Sequence, residues 1–169
     1  DEAFGFLYPH FVSDWRKQGA EVNLFSPLAD QAPPPEADAI FLPGGYPELH
    51  AGQLSTSGQF RASMLAAAQN GCAIYGECGG YMVLGEARVD EHGTPHAMLG
   101  LLSQVTSFQT RQRQLGYRKL TRIATAPLPQ MLYGHEFHYS TMTDRGHDDP
   151  LFEVTDSKDQ SLGRVGGVR

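Results

Sequence analysis

Through the first half of the chain, short apolar runs alternate with stretches of helical spacing, and glycine or proline marks each switch. This alternation constrains the fold more than any other feature, because parallel strands need crossover connections and those crossovers cover both faces of a sheet. Ala3–Tyr8 reads as a buried strand stopped by Pro9, after which Phe11, Val12, Trp15 and Arg16 fall at helical spacing ahead of Gly19. Glu21–Phe25 reads as a second strand, and Ala39–Leu42 as a third that ends at Pro43-Gly44-Gly45. Phe60–Gln69, with Met64, Leu65 and Ala68 on one face, predicts a helix closed by Asn70-Gly71. Cys72–Tyr75 is a fourth strand, running into Gly76-Glu77-Cys78-Gly79-Gly80 and then a helix through Tyr81–Leu84.

From Met98 onward the pattern changes to short strands: Leu101–Phe108, Tyr117–Ala124, Gly134–Thr141, Leu151–Thr155 and Leu162–Val165. They read as an antiparallel or mixed extension of the same sheet. The expected fold class is therefore α/β, mostly parallel with that C-terminal extension, in a single domain over 1–169. The chain opens and closes in mid-pattern, as a piece of a longer protein would.

Charge narrows the partners. The balance of 13 Lys and Arg against 19 Asp and Glu gives a net charge of −6, the wrong sign for neutralising phosphates, so no nucleic-acid partner is expected. No apolar stretch approaches the roughly 20 residues that a membrane-spanning helix needs. Two cysteines, Cys72 and Cys78, are too few for a disulfide scaffold, and Asp1–Tyr8 lacks a signal-peptide pattern, so a reducing, cytoplasmic setting is expected. Neither a P-loop pattern nor a dinucleotide-binding glycine pattern is present.

Cys78 stands between an apolar strand and a helix start, with glycine at 76, 79 and 80. Gly-x-Cys-x-Gly matches the strand-to-helix elbow that lifts a nucleophile above a sheet, and a helix N-terminus beneath the sulfur favours its thiolate form. A buried structural cysteine in a glycine-rich turn gives the same pattern. Gly44 and Gly45 end the preceding strand at the same carboxyl edge, where open α/β sheets place their sites, and with Gly79 they can present backbone N–H groups to an oxyanion. A cysteine nucleophile also needs a base close in space. In Gly134-His135-Glu136-Phe137-His138-Tyr139-Ser140, strand alternation puts Glu136 and His138 on one face and His135 on the other. His138, oriented by Glu136, is therefore the expected base, and no metal is expected because the two histidines lack the helical zinc spacing.

Three segments, Phe41-Leu42-Pro43-Gly44-Gly45-Tyr46-Pro47-Glu48-Leu49-His50, Gly76-Glu77-Cys78-Gly79-Gly80-Tyr81-Met82 and Gly134–Ser140, together resemble the carboxy-terminal glutaminase domain of cobyrinate a,c-diamide synthases. Leu115-Gly116-Tyr117-Arg118 resembles a further segment of it. These domains belong to the cobalamin-pathway branch of the triad, or class I, glutamine amidotransferases. The resemblance implies a flavodoxin-like fold and a nucleophile at Cys78 that attacks the carboxamide of glutamine. It implies His138 as catalytic histidine and oxyanion donors at Gly45 and Gly79. It further implies that ammonia passes to an ATP- and Mg-dependent synthetase domain that amidates a corrin, with no cofactor in the glutaminase domain itself. Two positions depart from the wider class. Ser140 stands where relatives carry the carboxylate after the histidine, which makes Glu136 the substitute, and Met82 stands where they carry a glutamine-binding Gln. Substrate contacts are then expected near Tyr46 or in the polar run Gln109–Gln114. Two other functions fit the same residues: a glutaminase-like domain that only docks, and a cysteine hydrolase on the same scaffold.

Overall fold

The computed structural model describes all 169 residues. The two apolar runs that end in glycine turns lie side by side: Ala39–Leu42 (β1) and Ala73–Gly76 (β2) pair in parallel, Leu42 opposite Gly76. Helix α1 (Pro9–Lys17) precedes them, α2 (Ala51–Thr56) and α3 (Gly58–Gln69) form the crossover, and α4 (Gly79–Leu84) leaves the second turn. β1 buries Ile40 and Leu42 on one face, while Phe41 on the other stacks on Tyr75 with ring centroids 5.8 Å apart. Helix α3 presents Phe60 and Met64, one turn apart, to the same core as Leu42 and Val83. Each is at most 2% exposed, and burying such a side chain contributes about 1.5–3 kcal/mol. The first turn of α3 is closed from outside the helix, where the Asp30 carboxylate accepts a hydrogen bond from the Phe60 N–H at 2.8 Å.

Two expected strands do not form. Ala3–Tyr8 is instead a 3-10 turn over Glu2–Phe4, capped by the Asp1 side chain, and it buries Ala3 and Phe4 in the core. Glu21–Phe25 forms no strand and its backbone makes no backbone hydrogen bond, because no neighbouring strand offers it an edge. The second half also differs from an extension of the parallel sheet. Gln114–Arg122 (β6) and Met131–His138 (β7) form a long antiparallel hairpin, joined by Phe152–Thr155 (β9) and Ser161–Val165 (β10) in the order β10-β9-β6-β7. Ala87–Val89 (β3), Pro95–Ala97 (β4), Val105–Ser107 (β5) and Thr141–Asp144 (β8) make another mixed sheet in the order β4-β3-β5-β8. The α/β class stands, with parallel and antiparallel pairs in three separate sheets rather than one continuous one. No helix is long and apolar enough to cross a membrane.

The glycine positions set the tightest packing. A Cβ on Gly80 would overlap the Leu42 carbonyl, and one on Gly76 would lie 2.8 Å from the Gly80 backbone. A Cβ on Gly58, at the exposed start of α3, would meet nothing within 4 Å. Gly80→Ala is therefore expected to lower stability by about 1–3 kcal/mol through forced backbone displacement, whereas Gly58→Ala should be neutral or raise it by up to about 0.5–1 kcal/mol. Urea unfolding of the two variants checks this, and equal shifts would contradict it.

Candidate active site

The site is built where β1 and β2 end. Cys78 occupies the position between β2 and α4 with φ 49° and ψ −114°, a backbone state that a residue with a side chain rarely adopts and that costs on the order of 1–3 kcal/mol. The neighbouring glycines explain why it persists. Gly76, Gly79 and Gly80 lie so close to Leu42, Pro47 and one another that added side chains would force them apart. Gly44 lies directly against the nucleophile candidate, since a Cβ there would be 3.2 Å from Cys78 Cβ and 3.5 Å from Sγ. Gly45 is pressed from behind by Ala3 and Gly5, and its nitrogen lies 3.2 Å from where a Gly79 Cβ would stand. Gly44, Gly45, Gly79 and Cys78 are thus brought together.

Cys78 as a residue is exposed at the surface. Desolvation pushes the Cys78 thiol above its ordinary value; the nearby backbone N–H groups of Gly79 and Gly45 oppose the shift, while Glu48 and Glu77 add to it. The thiolate expected from a helix N-terminus is therefore not the resting form: burial outweighs the donors, and α4 is a helix of only six residues.

β7 meets the sulfur through its backbone, the Cys78 thiol donating to the Phe137 carbonyl at 3.8 Å. Alternation along β7 places Glu136 and His138 on its half-buried face and His135 on the exposed face, where the His135 ring neighbours those of Tyr117 and Phe137. Glu136 Oε1 lies 2.9 Å from His138 Nε2, and Arg118 Nε donates to Glu136 Oε2 at 2.7 Å. His138 Nδ1 lies 3.1 Å from the Ser140 carbonyl and 3.2 Å from its hydroxyl. Both ring nitrogens are thus engaged by β7 and the turn after it. Turning either toward Sγ breaks one of these bonds.

Arg118 and Ser140 are the members that alternation alone did not assign. Arg118 stands opposite Gly134 in the β6–β7 register, diagonal to Glu136, and a Cβ on Gly116 would run into its guanidinium. Glycine at 116 is the sequence signal that a long side chain crosses that face. Tyr46 is 48% exposed and meets Phe6 edge-on, its side chain at the rim of the turn. The polar run passes beside the histidine, with Gln114 opposite His138 and the Gln112 N–H donating to the Tyr139 carbonyl at 3.0 Å. Met82 is buried. Burial also raises the Glu48 and Glu77 carboxyls above their ordinary range.

A strained cysteine elbow thus faces a glycine turn, beside a strand that carries a His–Glu pair. Residues 11–169 match the CobB/CobQ-like glutamine amidotransferase domain, and the chain belongs to that family. It is 55% identical over 166 residues to the hydrogenobyrinate a,c-diamide synthase of Rhizobium meliloti (strain 1021), covering 98% of this chain and 39% of that protein. The enzyme of the same name from Sinorhizobium sp is 52% identical, over 98% of this chain and 38% of its own length. That from Rhodobacter capsulatus is 50% identical over 174 residues, which cover 100% of this chain and 39% of the relative. The chain spans about two-fifths of the length of the curated relatives it matches.

The Glu136 clamp carries a pH signature. Its hydrogen bonds to His138 and then to Arg118 hold the carboxyl below its ordinary value of 4.5. A carboxyl depressed on folding contributes stability that is fully present above its unfolded value and is lost as pH falls through the folded one. Glu136→Gln removes that contribution. Comparison of urea midpoints near about pH 6 and about pH 4 should then show a smaller loss on acidification in Glu136→Gln than in the parent; equal losses would show that the clamp is not coupled to folding.

Proposed function

We propose that this domain hydrolyses glutamine through Cys78 and supplies the ammonia for amidation of a corrin, hydrogenobyrinate or cobyrinate, by an ATP- and Mg-dependent synthetase part of a longer polypeptide. The observation that carries the reading is the close packing of the Gly44-Gly45 turn against Cys78 and Gly79, at a cysteine held in a strained backbone state. Membership of the amidotransferase family and the relatives' name supply the substrate class and the acceptor.

In this reading His138 takes the thiol proton and the sulfur attacks the glutamine carboxamide carbon. The carbonyl electrons move to oxygen, where the two glycine N–H groups stabilise them. Collapse of that oxyanion breaks the C–N bond, His138 returns the proton to the leaving nitrogen, and ammonia departs from a glutamyl thioester. Water, deprotonated by His138, then attacks the thioester; the S–C bond breaks, glutamate leaves and the thiol is restored. Glu136, itself held by Arg118, keeps the ring oriented and stabilises its charged form. Two free cysteines suit a reducing, cytoplasmic setting.

One observation favours a second reading, a domain that docks without turnover: both His138 nitrogens are already engaged and the thiol is held neutral. The two readings differ in labelling. Treatment with the glutamine analogue diazo-oxo-norleucine, followed by peptide mass spectrometry, should place the label on Cys78 and spare Cys72. Cys78→Ser should abolish glutamine hydrolysis, by roughly a thousandfold or more. Label on Cys72, or no label on Cys78 even with the full-length polypeptide, ATP and acceptor present, would overturn the catalytic reading in favour of docking.

A further inference from the structure

The largest fully buried side chain of the protein carries a charge. Arg88, in β3, is 0% exposed, and none of its three guanidinium nitrogens has a hydrogen-bond partner. The guanidinium carbon lies 4.2 Å from the centroid of the Phe108 ring, which supports one face of the cation and leaves its N–H groups without an acceptor. Burial lowers the guanidinium to about 10, while the charges of Glu48 and Asp90 act against that. A buried charge is costly unless it is paired, so an arginine in this state calls for an acceptor.

Strand register decides which way it faces. Arg88 stands opposite His96 in β4 and Thr106 in β5, so the three side chains share one face of that sheet. A Cβ on Gly52 would stand 3.9 Å from the His96 ring, which puts α2 against the same face. Gly52 follows Glu48 by four residues, about one turn on, in the segment that runs from the 3-10 turn Pro47–His50 directly into α2. The buried Thr106 hydroxyl is also without a partner. A guanidinium and a hydroxyl that are neighbours and both unpartnered suit a group with two acceptor oxygens.

One carboxylate nearby remains free. Asp90 is engaged, its Oδ1 accepting from the His92 and Thr94 N–H groups at 2.9 and 2.8 Å and its Oδ2 lying 3.0 Å from His96 Nε2. Arg111 is paired with Glu91 at 2.6 Å, and His50 lies 3.8 Å from Glu2. Half-buried Glu48 takes part in no ion pair. Burial raises its carboxyl above the ordinary range, and the charges of Arg88, Arg111 and His50 act against that.

We propose that Arg88 is a positioning residue of the glutaminase site, taking the Glu48 carboxylate as its counter-charge and so holding the Pro47–His50 turn against Cys78. The proposal rests on the glutamine-hydrolysing reading given above. The pair closes by inward rotation of the Glu48 side chain toward β3. Pro47 transmits the effect, because a Cβ on Gly79 would stand 2.7 Å from Pro47 Cδ and Glu48 is the next residue in the chain. Pairing also neutralises a carboxylate that opposes ionisation of the thiol. Arg88 thus acts through Glu48.

Alkylation of the full-length polypeptide by iodoacetamide, read at Cys78 by peptide mass spectrometry over roughly pH 6–10, tests the pair. Arg88→Met removes the charge; the Cys78 rate near neutral pH should fall by about threefold or more, and the midpoint of its pH profile should rise. In a Glu48→Gln background the same substitution should change the rate by less than about twofold. Arg88→Lys, which keeps the charge, should recover most of the loss. Equal effects of Arg88→Met in the two backgrounds would overturn the proposal, as would no effect in either. Glu48→Gln alone, which replaces no fully buried side chain, should lower the urea midpoint by leaving the guanidinium unpaired; an unchanged or raised midpoint would overturn the pair as well. None of these readouts uses glutamine, so the pair can fail while glutamine hydrolysis stands, and the reverse.

Discussion

The site depends on the close approach of two backbone turns. Where β1 and β2 end, Gly80 lies against the Leu42 carbonyl and Gly79 against Pro47 and the Gly45 nitrogen, at separations that no side chain permits. Beside that contact the residue between β2 and α4, Cys78, takes φ 49°, with the Gly44 turn against its side chain. The strain is held by core packing, with Leu42 and Val83 both nearly fully buried on the flanking elements. Stability in the core is thus converted into placement of one atom.

Electrostatically the site is at rest. Desolvation and the carboxylates of Glu48 and Glu77 oppose ionisation of the thiol, and the glycine N–H groups do not overcome them. The histidine is clamped as well, between Glu136 and Ser140, with Arg118 fixing the far side of Glu136. In the proposed reaction, a thiol kept neutral at rest suits a site whose charge is generated only when a substrate carbonyl arrives.

Local sequence made the glycine turns, α3 and the alternation of β7 legible, because each is governed by neighbours in the chain: glycine where a Cβ cannot fit, helical spacing of Phe60 and Met64, and opposite faces for His135 and His138. The strands expected at Ala3–Tyr8 and Glu21–Phe25 were not, since an apolar run becomes a strand only when another strand presents an edge. Likewise Arg118 emerged from the β6–β7 register, a long-range pairing that no local pattern contains.

Sequence by itself picked out the candidate residues for the chemistry: one cysteine among glycines, a glycine turn at the end of the preceding strand, and a His–Glu pair two residues apart. These follow from residue identity and spacing, which fix what a backbone can do locally. Tertiary structure alone decided the thiol's protonation, the partners of both His138 nitrogens and the division of the strands into three sheets. Those depend on desolvation and on hydrogen bonds between segments far apart in the chain, and such energies exist only once the segments have met.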